Sequence, residues 1–151
     1  MTNDADLTLL TGFGGEEAYI DVLLQHFEGR LGNTRAFALQ HRVLLLRTRS
    51  GVGLDVALGA LPFEESAVQR SSEFAYPDHI LLRTCSAEDL IVFKAFAARG
   101  QDWVDVERII VRQGGTLDWT YIGHQLRPLA LAKDAPEILD QLERLRRTLG
   151  P

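Results

Sequence analysis

From Asp4 to Leu10 apolar and polar positions alternate, with Ala5, Leu7 and Leu9 on one side and Asp4, Asp6 and Thr8 on the other. That two-residue period predicts a strand within the opening stretch Met1 to Leu10. A glycine-rich turn from Thr11 to Gly15 follows. Ile20, Leu23, Leu24 and Phe27 then recur at helical spacing behind Glu16 and Glu17, acids that suit the start of a helix. Gly29 to Asn33 breaks the helix, and Phe37 to Thr48 reads as a long strand with a continuous apolar run at Val43 to Leu46. Past the turn signal Ser50-Gly51, Val52, Leu54, Val56 and Leu58 form one face of another strand; Gly53, Asp55 and Ala57 form the other. Two strands joined by so short a turn predict a hairpin.

Leu61-Pro62-Phe63-Glu64-Glu65 opens a short turn or helix that runs through Arg70. Ser72 to Asp78 reads as a loop, because Pro77 opposes a helix there, and His79 to Arg83 as a short strand. Ser86-Ala87-Glu88-Asp89 is a capping box for a helix to about Arg99, with Leu90, Phe93 and Ala97 as its apolar face, Lys94 at the edge of that face and Gly100 as its stop. A second helix, from about Asp102 to Arg112, carries Trp103, Val106 and Ile110 and ends at Gly114-Gly115. Leu117 to Ala130 continues with Trp119, Ile122 and Leu126, and Pro128 is expected to end or kink it. The last helix has Asp134 as N-cap, Pro136 near its first turn, a stripe of Ile138, Leu142, Leu145 and Leu149, and Gly150 as its stop. Strands dominate before Arg83 and helices after it. The class is therefore α/β (α+β): a mixed sheet with flanking helices in residues 1–85, then a helical part in residues 86–151 packed on it as one unit.

Composition narrows the chemistry. A chain of 151 residues predicts one domain. Its formal net charge of -5 argues against a general nucleic-acid grip, which needs a basic face, but leaves open an enzyme that meets a polynucleotide end through one small site. A single cysteine, Cys85, cannot form an internal disulfide, fits a reducing compartment and reads as a small core residue. No stretch is long and apolar enough to cross a membrane and no leader pattern opens the chain, so the expectation is a cytoplasmic protein without a membrane partner. His26, His41, His79 and His124 are scattered without zinc spacing.

The acids carry more. On a strand, Asp4 and Asp6 stand about 7 Å apart on one face, a seat for divalent cations with hard oxygen ligands; the other reading is a solvated terminus. Asp55 lies in an otherwise apolar strand, where a carboxylate needs a partner, a proton or a metal. Arg47 or Arg49 offers an ion pair instead. The Gly12 to Gly15 turn lacks the lysine of a P-loop, and Glu16 and Glu17 would repel a phosphate. Arg144, Arg146 and Arg147 suit the end of the last helix and read as a solvated face.

In order along the chain stand Asp4-Ala5-Asp6-Leu7, then Leu54-Asp55-Val56 running on to Leu61-Pro62-Phe63-Glu64, then Ser86 to Lys94, then Arg99-Gly100-Gln101-Asp102-Trp103-Val104-Asp105-Val106. This ordered set, spanning roughly residues 2 to 112, resembles the nucleotidyltransferase superfamily and, within it, the AbiEii/AbiGii toxin-type branch. The resemblance implies a nucleotidyltransferase-like sheet and a metal-dependent transfer of NMP from an NTP to an acceptor it does not name: an RNA end, a protein or a small molecule. It places two Mg²⁺ (or Mn²⁺) ions on Asp4 and Asp6, with Asp55 completing the site; two such ions stand about 3.5–4 Å apart. It assigns Lys94 to the triphosphate, and Arg99, Asp102 and Asp105 to the nucleotide side of the cleft. A salt-bridge network between two helices is the other reading of those three. An antitoxin partner follows from the same branch. Family members carry a Gly-Gly or Gly-Ser strand-turn-helix ahead of the D-x-D, and no such unit precedes Asp4 here. The expectation is thus either a start further upstream or a truncated relative, catalytically inactive and acting as a nucleotide- or protein-binding module. A truncated sheet would leave a bare edge that a homodimer could cover.

Overall fold

The computed structural model describes residues 4–150; Met1 to Asn3, at the head of the opening stretch, lie outside the described residues. The chain divides into two compact units, Met1–Gln69 and Arg70–Pro151.

In the first unit, β1 (Asp4–Leu10), β2 (Glu28–Gly29), β3 (Val43–Arg47) and β4 (Gly53–Gly59) form one sheet in the order β1-β4-β3-β2. β1 runs parallel to β4, while β3 pairs antiparallel with both β4 and β2. The expected hairpin is thus β3–β4, and β1 stands at an edge of the sheet. α1 (Glu16–His26) supplies the crossover between β1 and β2, and α2 (Thr34–His41) connects β2 to β3. Alternation sends Leu9 of β1, Leu44 and Leu46 of β3, and Leu54, Val56 and Leu58 of β4 to one side. There they pack with Ile20, Leu23, Leu24 and Phe27 around α1 and with Ala38 of α2. The acids face the other way.

One expected strand is half helix. Phe37 to His41 belongs to α2, and β3 begins only at Val43. The residues from Thr34 to His41 favour a helix: after Thr34 none is β-branched. The Thr34 hydroxyl ties the entry by donating to Leu31 O at 2.6 Å and accepting from Leu31 N at 2.9 Å. Arg42 ends the helix in the left-handed region, at φ 56. Its guanidinium donates to the Glu16 carboxylate and to the carbonyls of Leu58 and Gly12, contacts that hold a conformation L-residues rarely adopt.

α3 (Pro62–Arg70) begins where the sequence reads Leu-Pro-Phe-Glu. Pro62 lacks the N–H that a first turn cannot satisfy. Glu64 Oε2 accepts from the backbone N–H of Ala60 and of Leu61, each at 2.8 Å, so this stretch is a helix start built from its own side chain.

In the second unit, Ser72 to Ala75 is a strand, β5, rather than a loop. It pairs antiparallel with β6 (Leu81–Thr84) across a single turn of 3-10 helix, Pro77–His79. α4 (Ala87–Ala97), α5 (Gly100–Gln113), α6 (Trp119–Ala132) and α7 (Glu137–Leu149) follow. Ser86 caps α4 as expected, its hydroxyl accepting from Asp89 N at 3.1 Å. Gly100 does not stop α4. Ala98, at φ 58, ends it, and Gly100 opens α5. α6 continues through Pro128 to Ala132, and α7 takes Pro136, not Asp134, as its N-cap. Ile91, Val92 and Ala95 of α4, Val106 and Ile110 of α5, Ile122 and Leu126 of α6, and Ile138, Leu142 and Leu145 of α7 form the buried helical core. Cys85 is exposed rather than in a core. The whole is a mixed α/β fold, a four-strand mixed sheet with interleaved helices followed by a helical part, the class that the periodicities predict. No helix among the described residues is long and apolar enough to cross a membrane.

Candidate functional site

The β1–β4 pairing is in a register that sets Asp6 opposite Asp55 and Asp4 opposite Gly53. Partner positions on adjacent strands point to the same side of a sheet, and so do positions two apart on one strand. Asp4, Asp6 and Asp55 therefore share the face turned away from the core, together with Thr8 and Ala57. The small residues of β4 matter here. A Cβ on Gly53 would collide with the Asp4 carboxylate and would lie 3.2 Å from an Arg30 nitrogen.

Arg30 enters from the far edge of the sheet, next to β2. It follows β2, and its backbone N–H donates to Leu45 O at 3.0 Å. Leu45 in turn pairs with Asp55, so Arg30 extends the row Leu45, Asp55, Asp6 on the acid face. Its guanidinium donates to Asp55 Oδ1 and lies 3.9 Å from Asp4 Oδ2. The ion pair expected for Asp55 thus exists, but with Arg30; neither Arg47 nor Arg49 forms an ion pair among the described residues. Burial raises the pKa of the Asp55 carboxyl above the usual range. Arg30 opposes that shift, and the neighbouring Asp6 and Asp4 reinforce it.

The donor chemistry of this face suits a hard divalent ion, whereas the arrangement does not. Arg30 binds Asp55 and approaches Asp4, and among the described residues no group of three or more His, Cys, Asp or Glu side chains is gathered to hold an ion. As arranged, the residues do not fit the two ions that the resemblance implies.

The other four expected residues come together in the second unit. Lys94 Nζ lies 3.5 Å from Asp102 Oδ1 and 3.2 Å from Asp105 Oδ2. Arg99 donates through Nε to Asp102 Oδ2 at 2.7 Å, and its backbone N–H reaches the same oxygen at 3.2 Å, which caps α5. Arg108 lies 3.5 Å from Asp105. Burial pushes the Asp102 carboxyl up. The Arg99 hydrogen bond and charge, with Lys94 behind them, outweigh it and hold the pKa below the usual range. Lys94, Arg99, Asp102 and Asp105 thus form an ion-pair network joining α4 to α5, in which each carboxylate already holds cations.

A second buried cluster had no sequence signal beyond the capping box. Asp89 is fully buried. It accepts from Tyr121 OH at 2.6 Å and from Ser86 Oγ at 2.9 Å, and Arg70 Nε lies 3.6 Å away. Arg70 also stacks over the Tyr121 ring, 4.0 Å from its centroid. The cluster joins the start of α4 to α6. A separate cleft of about 360 Å³ is lined by Gly115, Trp119, Glu143, Arg146, Arg147 and Gly150. Its arginines already pair with Glu143, at 3.6 and 2.9 Å.

No protein-family model matches this chain, and no curated protein matches it.

Proposed function

We propose that the protein is a nucleotidyltransferase that moves an NMP group from an NTP to a hydroxyl acceptor and depends on Mg²⁺ or Mn²⁺. The observation that carries this is the β1–β4 register, which puts three carboxylates from two strands on one face. The resemblance requires that convergence, and an Asp55 turned to the core side would have removed it. Three carboxylates repel a triphosphate by themselves, so the reading needs a cation between protein and phosphate. With Arg30 holding Asp55, the carboxylates as arranged do not position a metal ion for a step of the transfer. Asp4, Asp6 and Asp55 are the proposed acidic residues. Lys94 is the proposed contact to the triphosphate, and Arg99, Asp102 and Asp105 are its structural supports, since they fix Lys94 in the α4–α5 network. A cytoplasmic setting, an antitoxin partner and a homodimer through the edge strand β1 belong to the same proposal. They rest on composition, on the toxin-type branch and on the exposed sheet edge.

The Arg30–Asp55 pair favours a second reading: a catalytically inactive relative that binds nucleotide or protein. Label transfer from an α-labelled NTP separates the two. The enzyme reading expects Mg²⁺-dependent transfer that Asp6→Ala and Asp55→Ala each abolish. Transfer at the wild-type level in both variants would end it, and no transfer by any variant, wild type included, would favour the binding module.

A further inference from the structure

The acid face and the implied metal centre disagree at one residue, and the disagreement is specific. Arg30 reaches over the acid face to Asp55 from the edge of the sheet opposite β1, and its second terminal nitrogen stands 3.9 Å from Asp4. Glycine at residue 53 leaves the room that the Asp4 carboxylate fills, and a Cβ there would also stand 3.2 Å from the Arg30 nitrogen that faces Asp4. We infer that Arg30 is the resident cation of this face, its guanidinium taking the place that the resemblance gives to a divalent ion, so that an ion reaches these carboxylates by displacing it. This rests on reading the face as one that receives a cation, and it deepens the proposed function by naming what controls access to that site.

Charge and satisfaction both argue that Arg30 is displaceable. Three carboxylates face one guanidinium, so two negative charges remain; a divalent ion in its place would leave only one. Opposite charges at contact attract in proportion to charge, and a divalent ion draws the three acids together more strongly than a single positive charge shared between Asp55 and Asp4. Arg30 is also incompletely satisfied where it lies. Its Nε is buried and has no hydrogen-bond partner among the described residues; an unpaired buried N–H is unfavourable, and release to water relieves it. The Asp6 carboxylate forms no ion pair with Arg30, which leaves one acid of the three uncommitted.

The test uses the full chain and Mn²⁺ alone, with free Mn²⁺ followed by electron paramagnetic resonance. Arg30→Met is expected to bind Mn²⁺ at least ~10-fold more tightly than the wild type, because nothing then competes for Asp55; removing a competing charge-assisted pair is worth about one such factor. Adding Asp55→Asn to Arg30→Met is expected to cancel the gain. Arg30→Lys keeps a positive charge but loses the planar fork that spans two carboxylates; it is expected to fall between wild type and Arg30→Met, and it serves if Arg30→Met does not fold. Equal Mn²⁺ affinity in the wild type and in whichever of these variants folds overturns the inference, and so does a gain that survives Asp55→Asn. Mn²⁺ binding that behaves as expected while no NTP is turned over removes the transferase proposal and leaves Arg30 as the resident cation; turnover by wild type with unchanged Mn²⁺ affinity in the Arg30 variants does the reverse.

Discussion

Tyr121 and Asp89 show what one buried carboxylate does to its neighbours. Burial, the hydrogen bond to Asp89 and the Asp89 charge push the Tyr121 phenol up to about 12. A raised phenol pKa means that the folded state holds the proton more tightly than the unfolded chain does. The resulting stability is complete below the unfolded value of about 10 and is lost as pH rises through the folded value. A tyrosinate absorbance titration of wild type against Tyr121→Phe should assign a step near pH 12 to this residue, and Asp89→Asn should move that step to lower pH. A step unmoved by Asp89→Asn would show that the hydrogen bond is not its cause. Asp89 was legible only as part of a capping box, because its partner Tyr121 is 32 residues away. Arg30 was invisible for the same reason. It is 25 residues from Asp55 and follows a strand of only two residues, too short for alternation to reveal. Arg47 and Arg49 were close in sequence, but closeness in sequence does not fix which arginine crosses a sheet.

At the scale of elements, periodicity located what local rules alone decide. β1, β4, α1 and α7 have their expected places because each carries an uninterrupted period of two or of about 3.6. α4 is placed by its Ser86 cap instead, and it buries Ile91, Val92 and Ala95 rather than the expected Leu90, Phe93 and Ala97, because it is apolar on more than one side. The errors fall where tertiary contacts choose between states. Phe37 to His41 has apolar residues compatible with either period. The Arg42 side chain decides, since its bonds to Glu16, Leu58 and Gly12 stabilise a left-handed residue that ends α2 and starts β3. Gly100 opens a helix rather than closing one because the Asp102 carboxylate caps the Arg99 N–H. The expected strength of such caps is testable at Ser86, whose hydroxyl both accepts from Asp89 N and donates to the buried Asp89 carboxylate. Ser86→Ala should lower stability by about 1–2 kcal/mol in urea unfolding. A change within about 0.3 kcal/mol would mean that water replaces the hydroxyl without loss, against the usual capping range.

At the scale of the molecule, the fold class was legible and the site was half legible. Strand alternation predicted that Asp4 and Asp6 share a face, and the parallel register of β1 on β4 brings Asp55 to it. Whether those acids act as a cation site depends on Arg30, which no spacing in the sequence announced. The most direct measurement is calorimetric titration of an NTP mixture into wild type and Asp55→Asn, each in Mg²⁺ and in EDTA. If the three acids seat a cation that holds the triphosphate, the wild type binds only with Mg²⁺ present and Asp55→Asn does not bind. Binding of equal strength in both proteins, or binding indifferent to EDTA, would contradict a cation site on this face.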